Sequence, residues 1–135
     1  MLDSLHEHKA ATKKIVAIFN TGDLSEVNAL FAAEYIDHQK PAWLEAAGAE
    51  EFKQIVLSAR TSLPNLQVMI EALIAEGDSV VARLHWHSAQ PTGKVIDRET
   101  IDMLRFVQGK VVEHWGAEAW MTETTQNDQT LRKGL

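Results

Sequence analysis

An α+β domain is predicted by three features of this sequence. The first half carries apolar residues at helical spacing. The second half carries runs rich in Val, Ile and Leu, bounded by turn residues. The length of 135 residues suits one domain and leaves little room for two. Helices first and an antiparallel meander afterwards place the helices over one face of a curved sheet.

In the first half, Leu5, Ala11, Ile15, Ile18 and Phe19 recur at roughly helical spacing, with Ser4 as N-cap and Glu7 in the capping-box position. Asn20-Thr21-Gly22-Asp23 ends this helix, and Asp23 is placed to cap a short second one carrying Leu24, Val27, Leu30 and Phe31. Tyr35 to Gln39 is a short extended segment closed by Pro41. A third amphipathic helix over 48–62 puts Phe52, Ile55, Val56 and Ala59 on one face, and Pro64-Asn65 breaks it. Strands are expected over 66–75, 80–88, 95–106 and 110 to about 119. The connections are Glu76-Gly77-Asp78-Ser79, Gln90-Pro91-Thr92-Gly93 and Val107-Gln108-Gly109. The domain is therefore placed at 1–120, with a loose polar C-terminal tail over 121–135.

Composition excludes several functions. The formal net charge is -6, and Lys13-Lys14 is too small a basic pair for a nucleic-acid patch. There is no cysteine, hence no disulfide, thiol nucleophile or thiolate metal site. No apolar run approaches the ~18 residues of a membrane span. The first residues lack the basic start and apolar core of a signal peptide, so a cytoplasmic protein is expected.

The chemistry-bearing residues are few. Asp102 interrupts the apolar run Ile101 to Phe106. Facing an apolar pocket it would have a raised pKa and could move protons near neutral pH; facing water it would pair with a neighbouring Arg. His114 shares its face only in one hairpin register. A three-residue loop, Val107 to Gly109, pairs Phe106 with Lys110 and Asp102 with His114. A two-residue turn, Gln108-Gly109, pairs Asp102 with Trp115 instead. The first register is favoured, because it opposes Arg105 and Glu113 as a surface ion pair. His85 and His87 alternate along one strand and project to one face with Val81 and Arg83. With His114 they match a His-x-His plus His zinc spacing, but no clear outer partner accompanies them, and neither metal nor cofactor is expected. Trp43, Trp86, Trp115 and Trp120 are many for this length; most belong to core or interface, and one or two lining a flat pocket would suit an aromatic ligand. Glu26, Glu45, Glu50 and Glu51 are expected to be solvated helix residues.

Several short pieces, in order, resemble the SnoaL-like polyketide cyclases of the nuclear transport factor 2-like superfamily. They are Gly22-Asp23, Tyr35-Ile36-Asp37-His38, Leu63-Pro64-Asn65-Leu66, Ala75-Glu76-Gly77-Asp78 and Pro91-Thr92-Gly93-Lys94. The longest are Ile101 to Phe106 and Gly109-Lys110-Val111-Val112-Glu113-His114-Trp115. The resemblance spans about Phe19 to Trp115. It implies a cone-shaped α+β barrel, a curved antiparallel sheet over N-terminal helices with an apolar pocket in its mouth. It also implies cofactor-independent chemistry run by carboxylate or His groups. Tyr35 and His38 then lie in the segment leading into the pocket, Tyr35 as a donor to an oxyanion, while Asp37 between them is expected to cap or to face water.

Taken with the residue patterns above, catalytic roles are expected for Asp102, His114 and Glu118, and substrate contacts from Tyr35, His38, Trp43, His85, His87 and Trp115. One departure is evident. Many relatives carry an acid directly after the His-Trp pair or about four positions beyond the Trp, where this chain has Gly116 and Ala119. Either Glu118 supplies the carboxylate, or Asp102 does, or the cyclase chemistry is absent. The reading leans to an enzyme: proton abstraction next to a carbonyl on a small apolar or aromatic substrate, by aldol closure or isomerisation. The alternatives are a non-catalytic small-molecule-binding module and a dehydratase or epoxide-hydrolase-like enzyme using Arg98 beside Asp102. A homodimer paired through the outer sheet face is expected, with no nucleic acid and no membrane.

Overall fold

The computed structural model describes residues 2–125. Three helices, α1 (Leu2–Thr21), α2 (Val27–Leu30) and α3 (Ala49–Ser62), accompany five strands. These are β1 (Phe31–Asp37), β2 (Gln67–Glu76), β3 (Ser79–Ala89), β4 (Val95–Val107) and β5 (Lys110–Thr124). The sheet order is β1-β5-β4-β3-β2, open, with β1 and β2 at its edges. β2 to β5 form the expected antiparallel meander. The sheet is nevertheless mixed, because β1 joins β5 in parallel with Asp37 beside His114.

The helices cover one face of the sheet. Ile15, Val16, Ile18 and Phe19 of α1 are buried there, with Phe52 and Val56 of α3. Phe31 and Phe52 stack at 4.1 Å, and the Phe19 ring edge meets Phe52 at 5.5 Å and Trp86 at 4.9 Å. Each such buried ring contributes roughly 1.5–3 kcal/mol and fixes the floor of the central cavity. Asn20 clamps α1 to the edge strand: its side chain accepts from the Val68 N–H at 2.7 Å and donates to the Val68 carbonyl at 3.0 Å. Arg60 donates to the carbonyls of Phe19 and Asn20, which would otherwise be orphaned at the end of α1.

Several local expectations are corrected. α1 begins before Ser4, so Ser4 and Glu7 lie inside the helix and form no capping box. Asp23 does not cap α2; its Oδ1 accepts from the Ser25 N–H at 3.0 Å in a local turn. The extended segment starts earlier, at Phe31, and ends at Asp37. β5 continues through Met121 to Thr124, where a loose tail was expected to begin at 121; residues 126–135 of that tail lie outside the described residues.

The β4–β5 register matches neither hairpin reading. Gln108 and Gly109, both at positive φ, form a two-residue turn that pairs Val107 with Lys110. A bulge at Val112 then shifts the ladder, opposing Arg105 to Glu113, Leu104 to His114 and Asp102 to Gly116. The extra residue restores the parity that the shorter turn had reversed. Asp102 and His114 therefore share the helix-covered face as diagonal neighbours. The Arg105–Glu113 ion pair forms as expected, at 2.6 Å.

Candidate active site

A cavity of about 280 Å³ lies between the helices and the covered face of the sheet. Its apolar lining includes Ile15, Phe19, Phe31, Phe52, Leu84 and Trp86, and its polar lining includes Tyr35, Asp37, Gln39, Arg98, Thr100, Asp102 and His114. That is the composition of a small-molecule pocket, mostly apolar with a few convergent polar groups. Its volume sits near the lower end of the usual range of ~300–1,000 Å³.

His114 is the centre of the polar wall. Its Nδ1 lies 2.7 Å from Asp37 Oδ1 and its Nε2 2.7 Å from Asp102 Oδ1. β5 presents the imidazole, parallel β1 brings Asp37 to one side, and antiparallel β4 brings Asp102 to the other. Burial alone would push the imidazole pKa down. The bonds to Asp102 and Asp37 and their two charges outweigh it, and His114 is held at about 9. At neutral pH it is an imidazolium donating from both nitrogens.

The two carboxylates are unequal. Burial would raise Asp37, but the His114 bond and charge, the Gln39 N–H at 2.8 Å and the Tyr35 hydroxyl hold it below its ordinary value. Asp102 accepts from His114 on Oδ1 and from the Thr100 hydroxyl on Oδ2 at 2.7 Å. Thr100 in turn accepts from Trp86 Nε1 at 2.8 Å. Asp37 is the more heavily bonded of the two, and Asp102 is the carboxylate with acceptor capacity to spare. Burial, then the charge of Asp37, pushes the Tyr35 phenol well above its usual range, so it stays a neutral donor.

Gly116 stands against the Asp102 carboxylate. It opposes Asp102 across the ladder, and a Cβ there would lie 2.8 Å from Asp102 Oδ1 and would collide with the Gln39 side chain. A side chain at 116 would displace the carboxylate that β4 supplies. We expect Gly116→Ala to slow any reaction of this site on the order of 10- to 100-fold by misplacing Asp102. The thermal midpoint should change little, because residue 116 sits at a part-exposed position outside the apolar core. Turnover and melting measured on the same preparation check this.

The residues singled out from the sequence divide between two faces. Asp102, His114 and Tyr35 come together in the pocket. Glu118 does not join them: it is exposed, with its Oε2 3.7 Å from Arg98 Nε, outside the cavity lining. His38 Nε2 donates to Glu113 at 2.8 Å and its ring stacks on Trp115 at 4.8 Å, both outside the cavity lining. Trp43 is 60% exposed and also outside the lining. His85 and His87 point to the opposite sheet face, where both bond Asp97. The set of His85, His87 and His114 is therefore not assembled.

Sequence reasoning missed Asp37, which neither faces water nor merely caps, and Trp86, Thr100 and Gln39 of the lining. The alternation of Tyr35 and Asp37 on one strand was the available signal for Asp37. Glu51 is also corrected: it is 3% exposed, not solvated, and burial raises its pKa despite Lys40 at 3.7 Å.

Comparison with known proteins agrees with this architecture. A family model for SnoaL-like polyketide cyclases matches residues 9–127. The chain belongs to the SnoaL-like polyketide cyclase family. A candidate polyketide cyclase from Bacillus cereus is 30% identical to this SnoaL-like chain, with a TM-score of 0.76 over 84% of this chain and 74% of that one. AclR, a candidate hydroxylase from Streptomyces galilaeus, is 25% identical, with a TM-score of 0.68 over 96% of this chain and 86% of its own. IdmH, a candidate polyketide cyclase from Streptomyces antibioticus, shares the fold at 19% identity, with a TM-score of 0.72 over 95% and 99% of the two chains. No curated protein matches the sequence. Among the described residues, no helix is long and apolar enough to cross a membrane.

Proposed function

We propose that this SnoaL-like protein is a cofactor-independent acid–base enzyme. It moves a proton next to a carbonyl of a small aromatic or apolar substrate, leading to aldol closure or isomerisation. The observation that carries this reading is the Asp37–His114–Asp102 array on the wall of an apolar cavity. Asp102 takes the proton from the carbon beside the carbonyl as that C–H bond breaks, and the electron pair moves onto the carbonyl oxygen. The imidazolium of His114 holds Asp102 in place and offsets the negative charge gathered in the site. In an aldol closure the enolate carbon bonds to a second carbonyl carbon, and the new alkoxide recovers the proton from Asp102. In an isomerisation the proton returns at a different carbon. Either way the reaction is redox-neutral and releases nothing.

Donors for the developing oxyanion are Arg98 and Gln39. Arg98 Nε is buried and makes no hydrogen bond, its ion-pair partner Glu118 standing off at 3.7 Å, and its guanidinium lies 4.9 Å from the Trp86 ring centre. Tyr35 is a positioning residue, since its hydroxyl is engaged by Asp37. The cavity volume favours a ligand of one or two rings over a larger polycycle.

The test is deuterium uptake from D₂O into small bicyclic aryl ketones such as 1-indanone and 2-tetralone, followed by NMR. Protein-dependent exchange at the carbon beside the carbonyl is the expected result. Binding of these ketones without exchange would favour the binding module instead. The Arg98–Asp102 juxtaposition in one pocket is the observation favouring a dehydratase or epoxide-hydrolase-like reaction. An epoxide-hydrolase-like reaction predicts oxygen transfer from labelled water into a diol, and a dehydratase predicts loss of water from a hydroxylated substrate, rather than carbon-bound deuterium in the ketone. We also propose a homodimer through the outer sheet face, where Met69 is 44% and Ile101 40% exposed. Light scattering should give twice the chain mass, and a monomer mass at micromolar concentration would sink that proposal.

A further inference from the structure

The outer face of the sheet carries a second cluster that the pocket chemistry does not use. His85 and His87 project from β3, and Asp97 projects from β4 directly opposite His87. His85 Nε2 and His87 Nδ1 each lie 2.8 Å from Asp97 Oδ1. One ligand atom from each residue falls within 4.8 Å of the others. We propose that His85, His87 and Asp97 form a binding site for a divalent transition ion of the zinc or copper class.

The donor set argues for that class. Two imidazole nitrogens and one carboxylate oxygen suit zinc and copper(II) and suit magnesium or calcium poorly, since those ions favour all-oxygen sets. Bond lengths of ~2.0–2.2 Å place neighbouring ligand atoms somewhat over 3 Å apart in a tetrahedral site. Small side-chain rotations take the present separations there, with no change in backbone register. The scaffold is rigid in the relevant sense: β3 and β4 pair without interruption from Ser79–Arg105 to Ala89–Val95. Within one chain the side chains are reachable, with 26%, 33% and 27% of their surfaces exposed for His85, His87 and Asp97, and a homodimer through this face is compatible with the site only where its contact leaves them open. Glu99, opposite His85, is committed to Arg83 and Trp120 and flanks the site rather than completing it. Three protein ligands leave at least one position open to water or to an exogenous donor.

This site lies on the face opposite Asp102 and His114, and its test does not depend on turnover. The full chain, stripped with chelator, is titrated with zinc chloride at pH 7.5 by calorimetry. One equivalent per chain is expected, with a micromolar or tighter dissociation constant. His87→Gln and Asp97→Asn should each weaken binding by more than the roughly 10-fold that even an outer partner of a metal site is worth. Binding should also weaken in acid, because protonated His does not ligate. Copper(II) bound in place of zinc should show hyperfine coupling to two nitrogens. Asp102→Asn should leave the titration unchanged, which separates this site from the pocket array. An absent binding heat, unchanged affinity in the His85→Gln/His87→Gln double variant, or loss of binding in Asp102→Asn would each overturn the proposal.

Discussion

Asp102→Asn is expected to reduce protein-dependent deuterium exchange at the ketone by about a thousandfold, equivalent to about 4 kcal/mol of transition-state stabilisation. The substitution keeps the shape and the contact with the Thr100 hydroxyl, which lies 2.7 Å from Oδ2. It removes the negative charge and the proton-accepting capacity. The loss should fall on the rate constant and not on ketone binding, because the apolar lining from Phe19, Phe31, Phe52 and Trp86 is untouched. Asp37→Asn should cost less, since Asp37 acts through His114, and it should lower the imidazole pKa. A rate for Asp102→Asn within a few-fold of the parent would remove Asp102 as the base.

His114→Gln should change the pH dependence of stability more than any other single substitution. The folded-state pKa of about 9 lies above the ordinary 6.5. A raised imidazole pKa contributes stability that is fully present below 6.5 and is lost as pH rises through 9. A shift of this size corresponds to ~3 kcal/mol, at a side chain only 14% exposed. Asp37 acts in the opposite sense. Its lowered pKa contributes stability above the ordinary carboxylate value that is lost as the pH falls through the folded value. The parent should therefore show a plateau on the acid side of neutrality and a decline from about pH 6.5 to 9. In His114→Gln the alkaline decline should largely disappear. The plateau itself should drop by several kcal/mol, because Asp37 and Asp102 then face each other without the cation. Urea unfolding across pH 5 to 9.5 reads both effects.

The sequence carried the architecture further than it carried the site. Helical and strand periods placed the three helices and the four meander strands, because both are local patterns. β1 escaped as a sheet member because its partner, β5, lies some eighty residues on and pairs in parallel, which no local pattern records. The shared face of Asp102 and His114 was anticipated, but through the wrong register. The two-residue turn and the bulge at Val112 each shift parity once, and the shifts cancel. Asp37 was legible as the same-face neighbour of Tyr35; its closeness to His114 was not, since it depends on the parallel pairing. Glu118 pairs with Thr100 in the same register as Gly116 with Asp102, yet its side chain is exposed beside Arg98 and outside the cavity lining, which strand alternation alone does not record. The carboxylates at His114 come from β1 and β4 instead, and Gly116 leaves room for the one on β4, Asp102.

At neutral pH His114 is a cation clamped between Asp37 and Asp102, and the ¹⁵N NMR titration of its imidazole in the intact protein tests this. The arrangement predicts both ring nitrogens protonated at pH 7 and a midpoint near 9. A midpoint at or below the ordinary 6.5, with a single neutral tautomer at pH 7, would contradict it.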